Sequence, residues 1–445
     1  MYAKAKNPFE RNRRDIPLLR FLIHSESLAS KVLLPDREAY RLVRLNNFKE
    51  IEVVPLPIAN SKVSDFYLTN GLILTKYSRC GESVNLEGSD GSIHGVTVRA
   101  PDNIWDNIAP DSPVTLADIF TSNNYDYLVV RENDPILGET NRISAKIVTP
   151  DQALDITRVL MVSHGYYYIS PRTFAVNEGF YYLYRYKKLY KSYQYAWAIA
   201  VHAHGKGLSE VTYDQLGSLS RRLEFLCRAY DKIAYYSQKT VNHDIQHNQL
   251  YHLAYFVMLC TGVFDNLAHL IEEYYGLQVT SRMNIALRFS KGIKFYKELR
   301  ANNNVLYNFL SSENVQRQIE AFYPIRDSLQ HRELFQVVRF TDASNSIYDK
   351  SLIQLSDEAA EKLVEEPSAS NCIYSPGLFM GPLPFITWAQ GVLVNIVNSV
   401  LSLIDWDTKC EGLPEDIKNT IHESKRDFEL GVGHLLGWGE EPWYF

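Results

Sequence analysis

Between residues 248 and 276 the chain reads NQLYHLAYFVMLCTGVFDNLAHLIEEYYG, apolar almost all the way round a helical wheel. A helix with no polar face has to be surrounded by other chain, so this segment predicts the central helix of a bundle. Gly276 closes it, as the left-handed residue of a C-cap would. Neighbouring segments supply the surround. LGSLSRRLEFLCRAYDKIAYYSQ (216–238) sets Leu223, Leu226, Cys227, Tyr230 and Ile233 on one stripe, with Ser218 or Ser220 as candidate caps. MNIALRFSKGIKFYKELR (283–300) and VLYNFLSSENVQRQIEAFY (305–323) add helical pieces, and PLPFITWAQGVLVNIVNSVLSLIDW (382–406) supplies another long buried helix. The expectation is one helical bundle over 212–406, with an acidic, loop-like excursion at about 341–378 between its last two helices.

The first part of the chain has a different texture. FKEIEVVPLPI and YDYLVVRE are short β-branched or aromatic runs bounded by Pro, Asn and Asp, and 80–103 places turn dipeptides around a brief alternating segment, as in a hairpin. The Tyr-rich run 179–207 alternates like a strand in its first half. From about Tyr186 onward it spaces Tyr186, Tyr190, Tyr193, Trp197 and Ala200 like one helical face, ending at Gly205. The fold expected is therefore α+β, with a β-containing N-terminal domain over 1–205 that senses or regulates and a helical domain over 206–445.

Composition narrows the function. At 445 residues, 46% hydrophobic and 22% charged, the chain reads as globular, with room for more than one core. A net charge of −6 provides no global attraction to nucleic acid, so any such contact needs a local basic patch. Cys80, Cys227, Cys260, Cys372 and Cys410 form no CxxC pair, which argues against a zinc ribbon or disulfide framework and fits a reducing cytoplasm. The basic N-terminus is broken by Pro17, Arg20 and His24, unlike a signal peptide. The most apolar run, 383–404, carries Gln390 and Asn395 and reads as a core helix rather than a membrane span. A nucleophile elbow and a Walker loop are absent, and GSDGSIHG lacks the lysine that a phosphate-binding loop needs.

The chemistry concentrates in AFYPIRDSLQHRELF, 321–335. Pro324 suits a first helical turn, so a helix starting there carries Arg326 and Asp327 at its beginning. Asp327 and His331 are four residues apart and share a face, where the carboxylate can orient the imidazole. Arg326 and His331 are five apart, about 140° around the helix, so they converge only if the arginine folds over or a second copy completes the site.

Arg326, Asp327 and His331 at this spacing, within a helical bundle, resemble the motif of the HEPN superfamily of ribonucleases. That resemblance implies a bundle that pairs with a second copy, two motifs lining one cleft, and RNA cleavage without metal or other cofactor. His331 would be general acid or base for attack of the ribose 2′-hydroxyl, Arg326 would bind the scissile phosphate, and Asp327 would position them. It also implies a toxin or anti-phage effector. Expected partners are RNA, a second copy of the chain and a trigger at the N-terminal domain, with no membrane.

Further RNA contacts are sought among Arg332, Arg288, Lys291, Lys294, Arg185 and Lys187. The 282–300 stretch holds six cations against Glu298, and 185–191 interleaves lysines with tyrosines. Two other readings compete. One is a non-catalytic module that binds RNA or a partner. The other is a metal-dependent phosphohydrolase built on His243 and Asp244, with His204 and Asp265 as further ligands; His247 lies one turn from His243, although the flanking polar residues read as a loop.

Overall fold

The computed structural model describes residues 7–13, 17–24, 50–56, 63–66, 74–78, 84–87, 93–96, 126–129, 147–167, 176–331, 335–341, 349–374 and 378–427. The chain leaves one compact unit and enters a second between Val176 and Asn177.

The first unit holds strands β1 (Leu19–His24), β2 (Ile51–Leu56), β3 (Val63–Phe66), β4 (Leu74–Ser78), β5 (Val84–Glu87), β6 (Ile93–Val96), β7 (Tyr127–Val129) and β8 (Ile147–Val148), followed by helix α1 (Pro150–Ser163). Four of them form a parallel sheet in the order β2-β1-β7-β8, with Leu19 opposite Ile51 and Phe21 opposite Tyr127. Leu19, Phe21, Leu128 and Val129 are buried there, in keeping with the continuous apolar runs of a parallel strand. Asp126, buried at the start of β7, pairs with Arg11 at 2.7 Å and accepts the Arg20 amide at 2.8 Å. Thr149 and Gln152 cap α1 reciprocally. The strands β3 to β6 form a separate antiparallel meander, and the hairpin expected in 80–103 is β5–β6, with Val84 opposite Val96. The β-containing N-terminal half is thus present, and its parallel sheet is an addition to what the alternation suggested.

The second unit is helical: α2 (Glu178–Leu189), α3 (Lys191–Ala203), α4 (Glu210–Ser237), α5 (His243–Tyr275), α6 (Ile293–Asn302), α7 (Asn304–Leu310), α8 (Glu313–Glu320), α9 (Phe322–His331), α10 (Asp357–Val364), α11 (Pro382–Leu403) and α12 (Glu415–Asp427). At 33 residues α5 runs about 50 Å and is the central helix that its composition demands. Leu253, Phe256, Val257, Cys260, Val263, Phe264, Leu267, Leu270 and Ile271 along it are buried. Asn242 caps its start through the Ile245 amide, and Gly276 ends it at φ 63°, where a side chain would be strained.

Several boundaries differ from the sequence expectation, each for a local reason. The Tyr-rich run is helical already from Glu178, because Asn177 caps it through the Phe180 amide. It breaks at Tyr190, where Asn398 of α11 accepts the Ser192 amide and donates to the Leu189 carbonyl, both at 3.0 Å. Both helices therefore belong with the bundle, and the chain divides at 176–177 rather than at 205. The cap of α4 is Ser209 rather than Ser218 or Ser220, and His243 opens a helix instead of lying in a loop. Of 282–300 only the end is α-helical. The excursion after α9 carries the strands β9 (Val337–Thr341), β10 (Asp349–Gln354), β11 (Ile373–Tyr374) and β12 (Phe379–Met380) in one sheet, together with α10. Two helices, His243–Tyr275 and Pro382–Leu403, are long and apolar enough to cross a membrane, at a mean hydropathy of 1.4; both pack a buried face into the bundle.

Candidate functional site

The helix α9 is anchored by Phe322, which stacks on Trp388 at 5.2 Å and meets Phe264 edge-on at 5.4 Å. Ile325 and Ser328 follow on the same inner face and are buried. That registration turns Arg326, Asp327 and Gln330 outward. The helix begins two residues before Pro324, which still falls in the first turn, where its missing N–H costs no hydrogen bond.

Arg326 is held from two sides. Its Nε and Nη2 both donate to Asp327 Oδ1, at 2.9 and 2.6 Å, and its guanidinium lies over the Tyr323 ring at 4.8 Å. The Asp327 carboxylate therefore serves its chain neighbour. The pairing of Arg326 with Glu320 that an ordinary charged helix face would offer is absent, because Glu320 binds Arg288 at 2.7 Å and Ser290 at 3.2 Å. Arg288 in turn covers the same Tyr323 ring at 4.2 Å. One buried tyrosine thus carries two arginines that are 38 positions apart in sequence, each partly exposed and steered by a carboxylate. His331 is the last residue of α9; its side chain and all of Arg332 lie outside the described residues.

The helix α9 packs on α5, which in turn packs along α4. On α5, positions 251, 255, 258, 262, 265 and 269 fall within about 80° of arc, so they form one stripe. Tyr251, Tyr255 and Met258 of that stripe are exposed, as is Phe225 on α4, and Gln330 of α9 donates to the Met258 sulfur at 2.7 Å. Farther along come Gly262, Asp265 and His269. Burial among the helices raises the Asp265 carboxyl above its ordinary value, against the lowering pull of Arg326, His269 and Arg222 and a hydrogen bond from Tyr323. Tyr323 itself is pushed well above the ordinary phenol value by burial. Asp265 was a candidate metal ligand by sequence and sits instead among arginines. Arg222, Gly262, His269 and Tyr323 carry no sequence signal of their own; only the packing of α4, α5 and α9 gathers them.

The other candidates separate. Arg185 is buried and ion-paired with Asp231, with Nη1 on the Cys227 carbonyl at 3.2 Å. It braces α2 against α4 and is removed from any role in contacting RNA. Lys187 is half-buried, and desolvation lowers its amine's pKa. Lys291, Lys294, Lys297 and Arg300 are exposed, the first on a loop and the rest on α6. His243 and His247 are exposed with rings 3.9 Å apart, and His204 packs on Tyr213 at 4.7 Å. Among the described residues no three His, Cys, Asp or Glu side chains gather as metal ligands, so His243 and Asp244 acquire no third partner there.

The arrangement around Tyr323 can bind an oxyanion through the guanidinium Nη1 groups, since Asp327 and Glu320 take the Nε and Nη2 of Arg326 and Arg288. It places an imidazole, His269, and a carboxylate, Asp265, within electrostatic reach. No family model, curated protein or solved structure matches the chain.

Proposed function

We propose that the helical unit is a metal-independent endoribonuclease of the HEPN type that works as a homodimer, with the N-terminal unit as its sensing or regulatory part. The observation that carries this reading is the setting of Arg326: partly exposed, fixed by Asp327 and Tyr323, on a helix whose last residue is His331. Arg326 then binds the scissile phosphate and its developing charge, and His331 moves the proton between the 2′-hydroxyl and the leaving oxygen. The 140° between the two positions along α9 is the reason for a second copy, since one helix alone does not aim both at one phosphate. The exposed stripe of Tyr251, Tyr255 and Met258 beside Phe225 supports such pairing, because aromatic and Met side chains are enriched at interfaces. A toxin or an anti-phage effector is the cellular role in keeping with this chemistry.

Purified protein incubated with RNA tests the proposal. Cleavage is expected in EDTA, and Arg326→Ala and His331→Ala are each expected to abolish it while leaving the thermal unfolding midpoint unchanged. Cleavage that survives both substitutions removes the site, and cleavage that EDTA stops removes the mechanism. A second reading, a module that binds RNA or a partner without cutting, draws on the exposed cations of α6. It wins if the protein retards RNA in a gel and never cleaves it.

A further inference from the structure

Gly262 and Arg222 face each other across the α4–α5 seam. A Cβ built at Gly262 would sit 2.5 Å from Arg222 Nη1 and 3.3 Å from its Cζ, so the guanidinium rests where any other residue would place a methyl group. Its Nε is buried without a hydrogen-bond partner, and among the described residues no carboxylate forms an ion pair with it. A buried guanidinium N–H left unmatched costs about as much as a lost hydrogen bond, and such groups in native proteins usually have an acceptor waiting. The nearest functional neighbours identify the acceptor's charge. Arg222, Arg326 and His269 all lie within electrostatic reach of Asp265, one turn along α5 from Gly262. Of these three, Arg222 is the one with a buried donor, Nε, that has no partner.

We propose that Arg222, seated on Gly262, is a second phosphate-binding residue of the Arg326 site and takes a backbone phosphate of RNA adjoining the one that is cut. This rests on the ribonuclease reading and deepens it. The glycine provides the seat: with no Cβ at 262, the guanidinium can rest against α5.

The test uses the full chain carrying His331→Ala, so that substrate is bound and not cut. A short fluorescein-labelled single-stranded oligoribonucleotide is titrated by anisotropy over a series of KCl concentrations. Arg222→Gln is expected to weaken binding roughly tenfold. It should also make the plot of log affinity against log salt shallower by about 0.7, the loss of one phosphate contact on a single strand. Arg222→Lys keeps the charge and loses the fork, so the slope should return while affinity remains low. Gly262→Ala displaces the guanidinium with every charge kept, and should weaken binding as Arg222→Gln does. Thermal unfolding of each variant is followed alongside; should Arg222→Gln melt early, the Arg222→Lys and Gly262→Ala titrations decide. Equal affinity and equal slope for the Arg222 variants and their parent overturn this site and leave the ribonuclease reading standing. A parent that binds no RNA at any salt overturns both.

Discussion

Replacing Asp231 by Asn changes no volume and removes one charge from the bundle interior. Asp231 and Arg185 are an ion pair with side chains only 3% and 6% exposed. Around it, the Tyr182 hydroxyl donates to Asp231 Oδ2 at 3.1 Å, and the Arg185 guanidinium also reaches the Cys227 carbonyl and lies over Tyr230 at 5.1 Å. With the carboxylate gone, the guanidinium stays charged, since arginine does not give up its proton within proteins, and it stays enclosed by α2 and α4. Breaking a buried ion pair by removing one partner costs about 3–5 kcal/mol. That is a fifth or more of the roughly 5–15 kcal/mol that holds an ordinary domain folded. The paired replacement Arg185→Met with Asp231→Leu removes both charges and fills the space with apolar atoms, so it should cost far less than Asp231→Asn alone. Urea unfolding followed by far-UV circular dichroism and tryptophan fluorescence measures the parent and both variants. A cost below about 1 kcal/mol for Asp231→Asn refutes the reasoning. So would an Arg185→Met protein of unchanged stability that binds RNA more weakly, because that behaviour belongs to an arginine on the surface.

Three further outcomes are expected. Asn398→Ala strips the Ser192 amide and the Leu189 carbonyl of their shared partner at the α2–α3 break. Unfolding free energy should fall by about 1–3 kcal/mol, read from the same urea titration. Burial holds the Cys260 thiol well above its ordinary pKa, so iodoacetamide at mildly alkaline pH should leave Cys260 unmodified in the native protein and alkylate it in urea, as peptide mass mapping will show. Desolvation raises the Asp265 carboxyl, which means the folded state binds that proton more tightly than the unfolded one. Its ionised form therefore opposes folding above the unfolded pKa, and the opposition is relieved as pH falls through the folded pKa. Asp265→Asn should accordingly leave the thermal midpoint at neutral pH unchanged or higher, and a clear drop would place a stabilising salt bridge there instead.

Much of the architecture is legible in the sequence. The central helix was marked by its unbroken apolar circumference and by Gly276, and the 382–403 helix by its length without charge. The change from period-2 runs to period-3.6 runs separated a strand-bearing first part from a helical remainder. Boundaries were less legible because the decisive groups are ordinary polar residues. Nothing in the local pattern distinguishes Ser209 from Ser218 as a cap, or marks Asn398, 206 positions beyond Ser192, as the residue that breaks the Tyr-rich helix at Tyr190.

The amino-acid pattern alone determined that α5 must be enclosed and that Arg326, Asp327 and His331 share one short helix, because periodicity is a property of neighbours in the chain. Only the tertiary structure decided that Arg185 is buried, that Arg288 shares the Tyr323 ring with Arg326, and that Arg222 lies on Gly262 beside Asp265 and His269. Charge and side-chain length are the same for a surface arginine and a buried one; what separates them is which helix faces meet, and that is settled by packing the whole bundle at once.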